Sequence, residues 1–426
     1  MNSPSNFDPR TVRRLVSVHY YGRSGSLFLQ SLLDGHPDVL MFPADYLGGF
    51  RIFWDQFGEL AAADLVSAFL GNYRILFDAD CTDEVIGVGQ ALGVDYDFAA
   101  MGAGRDERLE IDPQVFTTAL IRALEFEVDD LSSQRVSRKF FFQSLHVAYA
   151  EALGRDFQSR DPIIVFQAHN LDVRVIDRLF EDFYPHYRFL HTVREPIQTL
   201  ASWYRHMFEG GDFADLELVE NALGRGLDHA KPILSHYYLC LKGGDGDGDG
   251  DGGDSDIVDW DARNSAAARL EDLHLAPRAT LERLCEWLNI PWHETLLHST
   301  FGGRTWHWTT GGRTLSGFQR HTISDRHNTI VGPLDRLRLR FLFADKYAAW
   351  GYDLPGAFHW PVLRLLAFVL WLVPFRMETL LWTRLPGGRP LPRPGAKLRA
   401  YAKLRRVIVR DWWRDRRQGI PLLRII

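Results

Sequence analysis

Cysteine is nearly absent: there are three in 426 residues, Cys81, Cys240 and Cys285, far apart and in no Cys-x-x-Cys pair. Neither a disulfide framework nor a cysteine-rich zinc site is expected, and a reducing cytoplasm is the natural compartment. The 16 histidines lack the His-x-x-x-His pairing of a metal site, so no metal is expected. The start, MNSPSNFDPRTVRRLVSVHYYG, has no basic segment followed by an apolar stretch and a small-residue cleavage site, and is not read as a secretory leader. No run supplies the ~20 uninterrupted apolar residues of a membrane span. The nearest approach, 358–382, is broken by Arg364, Pro374, Arg376 and Glu378. A Walker A loop, G-x-x-x-x-G-K-[ST], is missing too, which disfavours an ATP- or GTP-hydrolysing enzyme.

What is present is core-forming material: 46% of residues are hydrophobic and 13% aromatic, enough for one large α/β domain with appendages. The net charge of -6 is uneven. Residues 384–426 carry 13 Lys and Arg against Asp411 and Asp415, a balance of +11, which leaves -17 for 1–383. An apolar stretch followed by a basic one suits a helix lying on an anionic membrane surface, or equally a segment packed on the domain with its arginines solvated. The stretch KGGDGDGDGDGGDSD at 242–256 reads as a flexible, acidic surface insertion. Asp245, Asp247, Asp249, Gly250 and Asp256 fall at EF-hand spacing, but a Gly-Asp repeat meets that spacing in several registers, and Gly252 stands where the loop uses an apolar residue.

The order of local patterns is strand, glycine-containing loop, helix, repeated. LVSVH at 15–19 alternates, stops at YGRSGS, and gives way to helically spaced leucines. IIVFQAH (163–169) precedes a helical stretch at 172–183 and the strand RFLHTVR (188–194). Pro196 then sits where a first-turn proline opens a helix. Residues 116–154 read as helices, as does ATLERLCEWLN at 279–289 before Pro291. Such alternation predicts a parallel sheet with helices on both faces, a three-layer α/β fold.

Two places invite anions. The loop after the first strand puts the backbone N–H groups of Ser24, Gly25, Ser26 and Leu27 at a helix N-terminus, where unpaired donors and the dipole favour a phosphate-like group. Read alone, that loop is also compatible with a plain turn. Arg194 ends a strand and Ser202 follows two helical turns later, so guanidinium and hydroxyl can converge on a second anion, or Arg194 can pair with Glu195.

Together these segments resemble the sulfotransferase family. YGRSGSLFLQSLLDGHPDV is similar to its 5'-phosphosulfate loop and FLHTVREPIQTLASWYRH to its 3'-phosphate element. RLEDLHLAPRATLERLCEWLNIP resembles a later Glu-Asp-Leu and helix block, and FADKYAAWGYDL the Leu-Gly-Tyr close of many members. The resemblance covers most of 13–354 and implies a P-loop-like domain at 1–355, with 356–426 as a helical basic tail. It implies 3'-phosphoadenylyl sulfate (PAPS) as sulfuryl donor and a hydroxyl- or amine-bearing acceptor, with no nucleic acid partner and no required metal. Carbohydrate or glycolipid is the favoured acceptor, since the aromatics of RTWHWTTGG and FFFQSLHVAYA can line a pocket for sugar or lipid, although aromatics at helical spacing are more often core. Arg23 would take the place of the catalytic Lys or Arg, and Arg23, Ser24, Gly25, Ser26, Leu27, Arg194 and Ser202 would hold the donor. His169 matches the base of the cytosolic Lys-Thr-His element, and Asp45 is its rival. Gln167 stands where those members carry lysine, and Leu27 replaces a common hydroxyl; Arg313 or Arg320 is available as a second cation. Competing readings are a small-molecule kinase on the same fold and an inactive membrane-associated scaffold.

Overall fold

The alternating run before the glycine loop forms strand β1 (Arg14–Tyr20), and the leucine-spaced run after it forms helix α1 (Ser26–Leu33). This architecture comes from a computed structural model that describes residues 7–20, 24–86, 96–155, 161–168, 179, 181–199, 201–202, 264–310, 313–320, 323, 331–342, 344–370, 372–376, 379, 394–395, 398, 401–402, 405–406 and 424–426. Arg23, His169 and the 242–256 insertion lie outside the described residues.

The chain continues through β2 (Val39–Leu40), α2 (Phe50–Phe57), α3 (Ala62–Asn72), α4 (Pro113–Leu124) and α5 (Arg138–Ala152) to β3 (Ile163–Ala168). Asp112 caps α4 by accepting from the N–H groups of Gln114 and Val115, with Pro113 at the first helical position. Then come β4 (Tyr187–Val193), β5 (Ser265–Arg269), α6 (Leu270–Leu275) and α7 (Pro277–Leu288). Two short hairpins follow, β6 (Thr300–Phe301) with β7 (Arg304–Thr305) and β8 (His307–Thr310) with β9 (Arg313–Ser316). Helices α8 (Pro333–Leu342), α9 (Ala344–Ala349) and α10 (Pro361–Leu370) precede β10 (Arg424–Ile425).

The expected parallel sheet is present. Its order is β10-β5-β4-β1-β3-β2, and every pairing is parallel. Both faces are covered: Phe142 of α5 meets Phe166 edge-on, while Trp287 of α7 lies over Arg188 on the opposite face. Burial on two faces explains the near-continuous apolar strands. Helix α5 is buried on every side from Phe140 to Ala150, so its aromatics are core. Two differences from expectation stand out. Helix α7 begins at Pro277, two residues earlier than expected, because Pro277 serves as its first helical residue. The extreme end of the basic tail is a strand: Arg424 and Ile425 pair with Ala266 and Ala267, and Ile426 is buried.

Strand order matters for function. Chain connections leave β1 toward β2 on one side and β4 toward β5 on the other, so the direction reverses between the neighbours β1 and β4. Ligands of open α/β sheets bind at such a switch point, beyond the carboxyl ends of the strands.

Candidate active site

At that switch point the loop after β1 turns through Gly25, whose φ of 89° is left-handed, and a Cβ there would lie 2.5 Å from Leu270 Cδ1. Only glycine satisfies both the backbone and the close approach. Gly25 caps α1 without a side-chain hydrogen bond, and the first helical bond runs from the Leu29 N–H to the Gly25 carbonyl. The N–H groups of Ser26, Leu27 and Phe28 therefore have no intrahelical acceptor, the arrangement that receives an anion. Ser24, buried, shares a 2.8 Å hydroxyl hydrogen bond with Thr192 of β4, which fixes the loop to the neighbouring strand.

Two residues beyond Thr192, half-buried Arg194 leaves β4 and donates to Gln198 Oε1 at 3.4 Å. Residues 196–199 and 201–202 are helical, and Ser202 is half-exposed on that helix. Glu195, the alternative partner for Arg194, accepts from the Gln198 N–H at 2.7 Å and from the Tyr347 hydroxyl. Its own N–H donates to Glu271 at 3.0 Å, and Glu271 also accepts from Tyr352 at 2.7 Å. Burial and the Glu271 charge raise the Tyr352 hydroxyl well above its ordinary range, so it stays a donor. Arg269 closes the network, pairing with Asp272 at 2.6 Å and lying over the Tyr352 ring. The Glu-Asp-Leu block and the Gly-Tyr close, far apart in sequence, thus meet at the residue after Arg194.

On the other side of β1, Gln30 of α1 donates to the carbonyls of Phe42 and Ala44, at 3.0 and 2.9 Å. That holds Asp45 next to the helix. Asp45 is buried and accepts from the Tyr96 hydroxyl at 3.0 Å. Burial pushes its carboxyl up to about 6, against the Tyr96 hydrogen bond that pulls it down. The Asp45 turn sits at the end of β3, since a Cβ on Gly48 would come within 3.8 Å of the Gln167 carbonyl. Gln167 itself is 3% exposed, and its Oε1 has no hydrogen-bond partner among the described residues. Such an orphaned acceptor costs about 1–3 kcal/mol unless a donor arrives with a ligand.

An aromatic run covers α1. Phe28 stacks on His274 at 4.4 Å and meets Trp308 and Phe318 at 5.7 and 5.5 Å. Trp308 stacks on Trp306, whose indole N–H donates to the Tyr96 carbonyl at 2.8 Å. Arg320 is exposed and donates to the Leu275 carbonyl beside His274, whereas Arg313 is exposed on β9.

The structure thus ties the loop of Ser24, Gly25, Ser26 and Leu27, through Thr192, to the strand end from which Arg194 leaves, whereas no contact joins Ser202 to them among the described residues; Asp45 lies on the other side of β1. Sequence reasoning missed Thr192, Gln30, Tyr96 and Phe28. Thr192 was within reach, being a hydroxyl two residues before Arg194 near the end of its strand; no local pattern marks Tyr96. Among the described residues no group of three or more His, Cys, Asp or Glu could hold a metal ion.

No family model matches the chain, and no curated protein matches it. Among solved structures, it is similar to the sulfotransferase domain from the Synechococcus PCC 7002 olefin synthase, at 15% identity and a TM-score of 0.40, over 83% of this chain and 99% of that one. A sulfotransferase domain from the curacin biosynthetic pathway aligns at 16% identity and a TM-score of 0.39, over 81% and 99%. The sulfotransferase STF9 from Mycobacterium avium aligns at 16% identity and a TM-score of 0.29, over 67% and 66%.

Proposed function

We propose that the chain is a sulfotransferase that moves a sulfuryl group from PAPS to a hydroxyl (or amine) of an acceptor, with carbohydrate or glycolipid as the favoured class. The observation that carries this reading is the Ser24–Thr192 hydrogen bond, which sets the uncapped start of α1 beside the Arg194 end of β4. Two anion-binding elements are thereby held side by side, as a nucleotide with phosphates at both its 5' and 3' positions requires. The N–H groups from Ser24 to Leu27 would hold the phosphosulfate, and Arg194 with Ser202 the 3'-phosphate. The orphaned Gln167 Oε1 fits a ligand that brings a donor.

In the transfer, the bond from sulfur to the bridging phosphate oxygen breaks as the acceptor oxygen attacks in line, and the acceptor proton passes to a base. Arg23 would neutralise the departing phosphate, a role whose loss typically costs about 3–4 kcal/mol in the transition state. Asp45 suits the base: with its carboxyl near 6 it is largely ionised at neutral pH yet basic enough to take a proton. His169 is the other base this reading allows.

The test is calorimetric titration of the full chain with 3'-phosphoadenosine 5'-phosphate (PAP) and, separately, with ATP and magnesium. Tight PAP binding with weak ATP binding supports the sulfotransferase reading. The reverse preference would move the kinase reading to the front.

A further inference from the structure

Helix α10 turns large apolar side chains toward solvent. Val362, Leu365, Leu366 and Val369 are each more than half exposed, and their spacing of three, four and seven residues from the first makes one continuous stripe. Trp360, Leu372 and Val373 extend it at both ends, also exposed. Neighbouring α8 adds exposed Leu334 and Leu337.

The stripe does not face outward for want of an anchor. Arg338 of α8 is 1% exposed and sits under the end of α10, where its guanidinium donates to the Leu370, Val373 and Pro374 carbonyls. It pairs with buried Asp335, whose second oxygen accepts from the Arg376 N–H at 2.8 Å. Phe375 is buried beneath Arg338, and Arg405 donates to the Val373 carbonyl at 3.0 Å. A buried cation here satisfies carbonyls that a helix end leaves open and complements its dipole. The end of the helix is thus held in place while Val362, Leu365, Leu366 and Val369 stay exposed. A contiguous apolar surface of this extent marks an interaction site.

We infer that α10 is a monotopic docking surface for an anionic lipid bilayer. Charge complementarity selects that occupant: residues 384–426 place 13 Lys and Arg against two Asp directly after the stripe. Basic residues near an anionic leaflet each contribute about 1 kcal/mol, and the apolar stripe supplies the insertion. Among the described residues no helix is long and apolar enough to cross a membrane, so the arrangement lies in the interface rather than spanning it.

The experiment is flotation of the full chain with vesicles of phosphatidylcholine alone and with a phosphatidylglycerol fraction, beside light scattering without lipid. The variants are Leu365→Glu with Val369→Glu, and as a control Val115→Glu, which changes an exposed apolar residue on α4. Wild type and control should float with the anionic vesicles in a salt-sensitive manner, and the double variant should lose at least tenfold in partitioning while retaining the circular dichroism of the wild type. Three outcomes would overturn the proposal. One is no binding of wild type to anionic vesicles, and another is equal partitioning of the double variant. The third is a wild-type dimer that the double variant dissociates while neither floats, which would make the stripe a self-association surface. PAP binding reports separately on the nucleotide site, so the two readings fail independently.

Discussion

Ser24 and Thr192 lie 168 residues apart and share a buried 2.8 Å hydrogen bond between their hydroxyls, joining the loop after β1 to the end of β4. Replacing Thr192 by valine keeps the shape and leaves the Ser24 hydroxyl buried without this partner. The expected cost is about 1–3 kcal/mol in stability. PAP affinity should fall by several-fold, because the loop loses its fixed position relative to Arg194. Denaturant titration and calorimetry on Thr192→Val check both; unchanged PAP affinity would show that the pair is structural only.

Gly25 should tolerate no side chain. Its φ of 89° and the 2.5 Å approach of Leu270 act together in Gly25→Ala. A destabilisation of about 1–3 kcal/mol is expected from the backbone strain. Trimming the neighbour in Gly25→Ala with Leu270→Ala should relieve the contact and not the strain. A double variant that restores wild-type nucleotide binding would contradict the backbone argument.

Asp45 offers a pH test of the proposed base. If it is the base, kcat/KM rises with pH through about 6 and then levels, since only the ionised carboxylate accepts a proton. Asp45→Asn should remove that limb and lower the rate by roughly 10²- to 10⁴-fold. Tyr96→Phe should move the limb to higher pH, because the Tyr96 hydrogen bond favours the charged form. Stability should move oppositely. With its pKa raised above the ordinary 3.8, Asp45 holds its proton more tightly in the folded state, so its contribution is full below 3.8 and is lost as pH rises through 6. Asp45→Asn should therefore stabilise the protein at neutral pH, by up to about 3 kcal/mol. An unchanged pH profile in Asp45→Asn would assign the base elsewhere, with His169 the next to test.

His146 works in the other direction. Burial lowers it from 6.5 to about 4, and its Nδ1 lies 2.8 Å from the Phe142 carbonyl. The unfolded chain binds the proton first, so stability falls as pH drops from 6.5 toward 4, by up to about 3 kcal/mol. His146→Gln should shrink that acid limb in urea titrations at several pH values, and buried His191, lowered by burial from 6.5 to about 3, should carry the part that remains.

The sheet and its flanking helices were legible because their signals are local. β-branched alternation marks β1, Pro196 opens a helix and Gly25 sits between strand and helix. Long-range partners were not. Gln30 reads as one of three polar residues in a leucine-rich helix, and only folding shows that it carries the Ala44 carbonyl and so places Asp45. Glu271 and Tyr352 were recognisable as family-like segments, but not as the supports of Glu195 beside Arg194. The return of Ile425 to pair with Ala267 had no signal at all, since a strand of two residues is too short for a period.

The central claim is that one ligand bridges the start of α1 and Arg194. It is tested most directly by comparing PAP with AMP, which lacks the 3'-phosphate, on wild type and on Arg194→Ala. Wild type should prefer PAP by at least tenfold, about 1.4 kcal/mol, and Arg194→Ala should lose that preference while binding AMP as before. Equal affinity of wild type for the two nucleotides, or a preference that survives the substitution, would contradict the account.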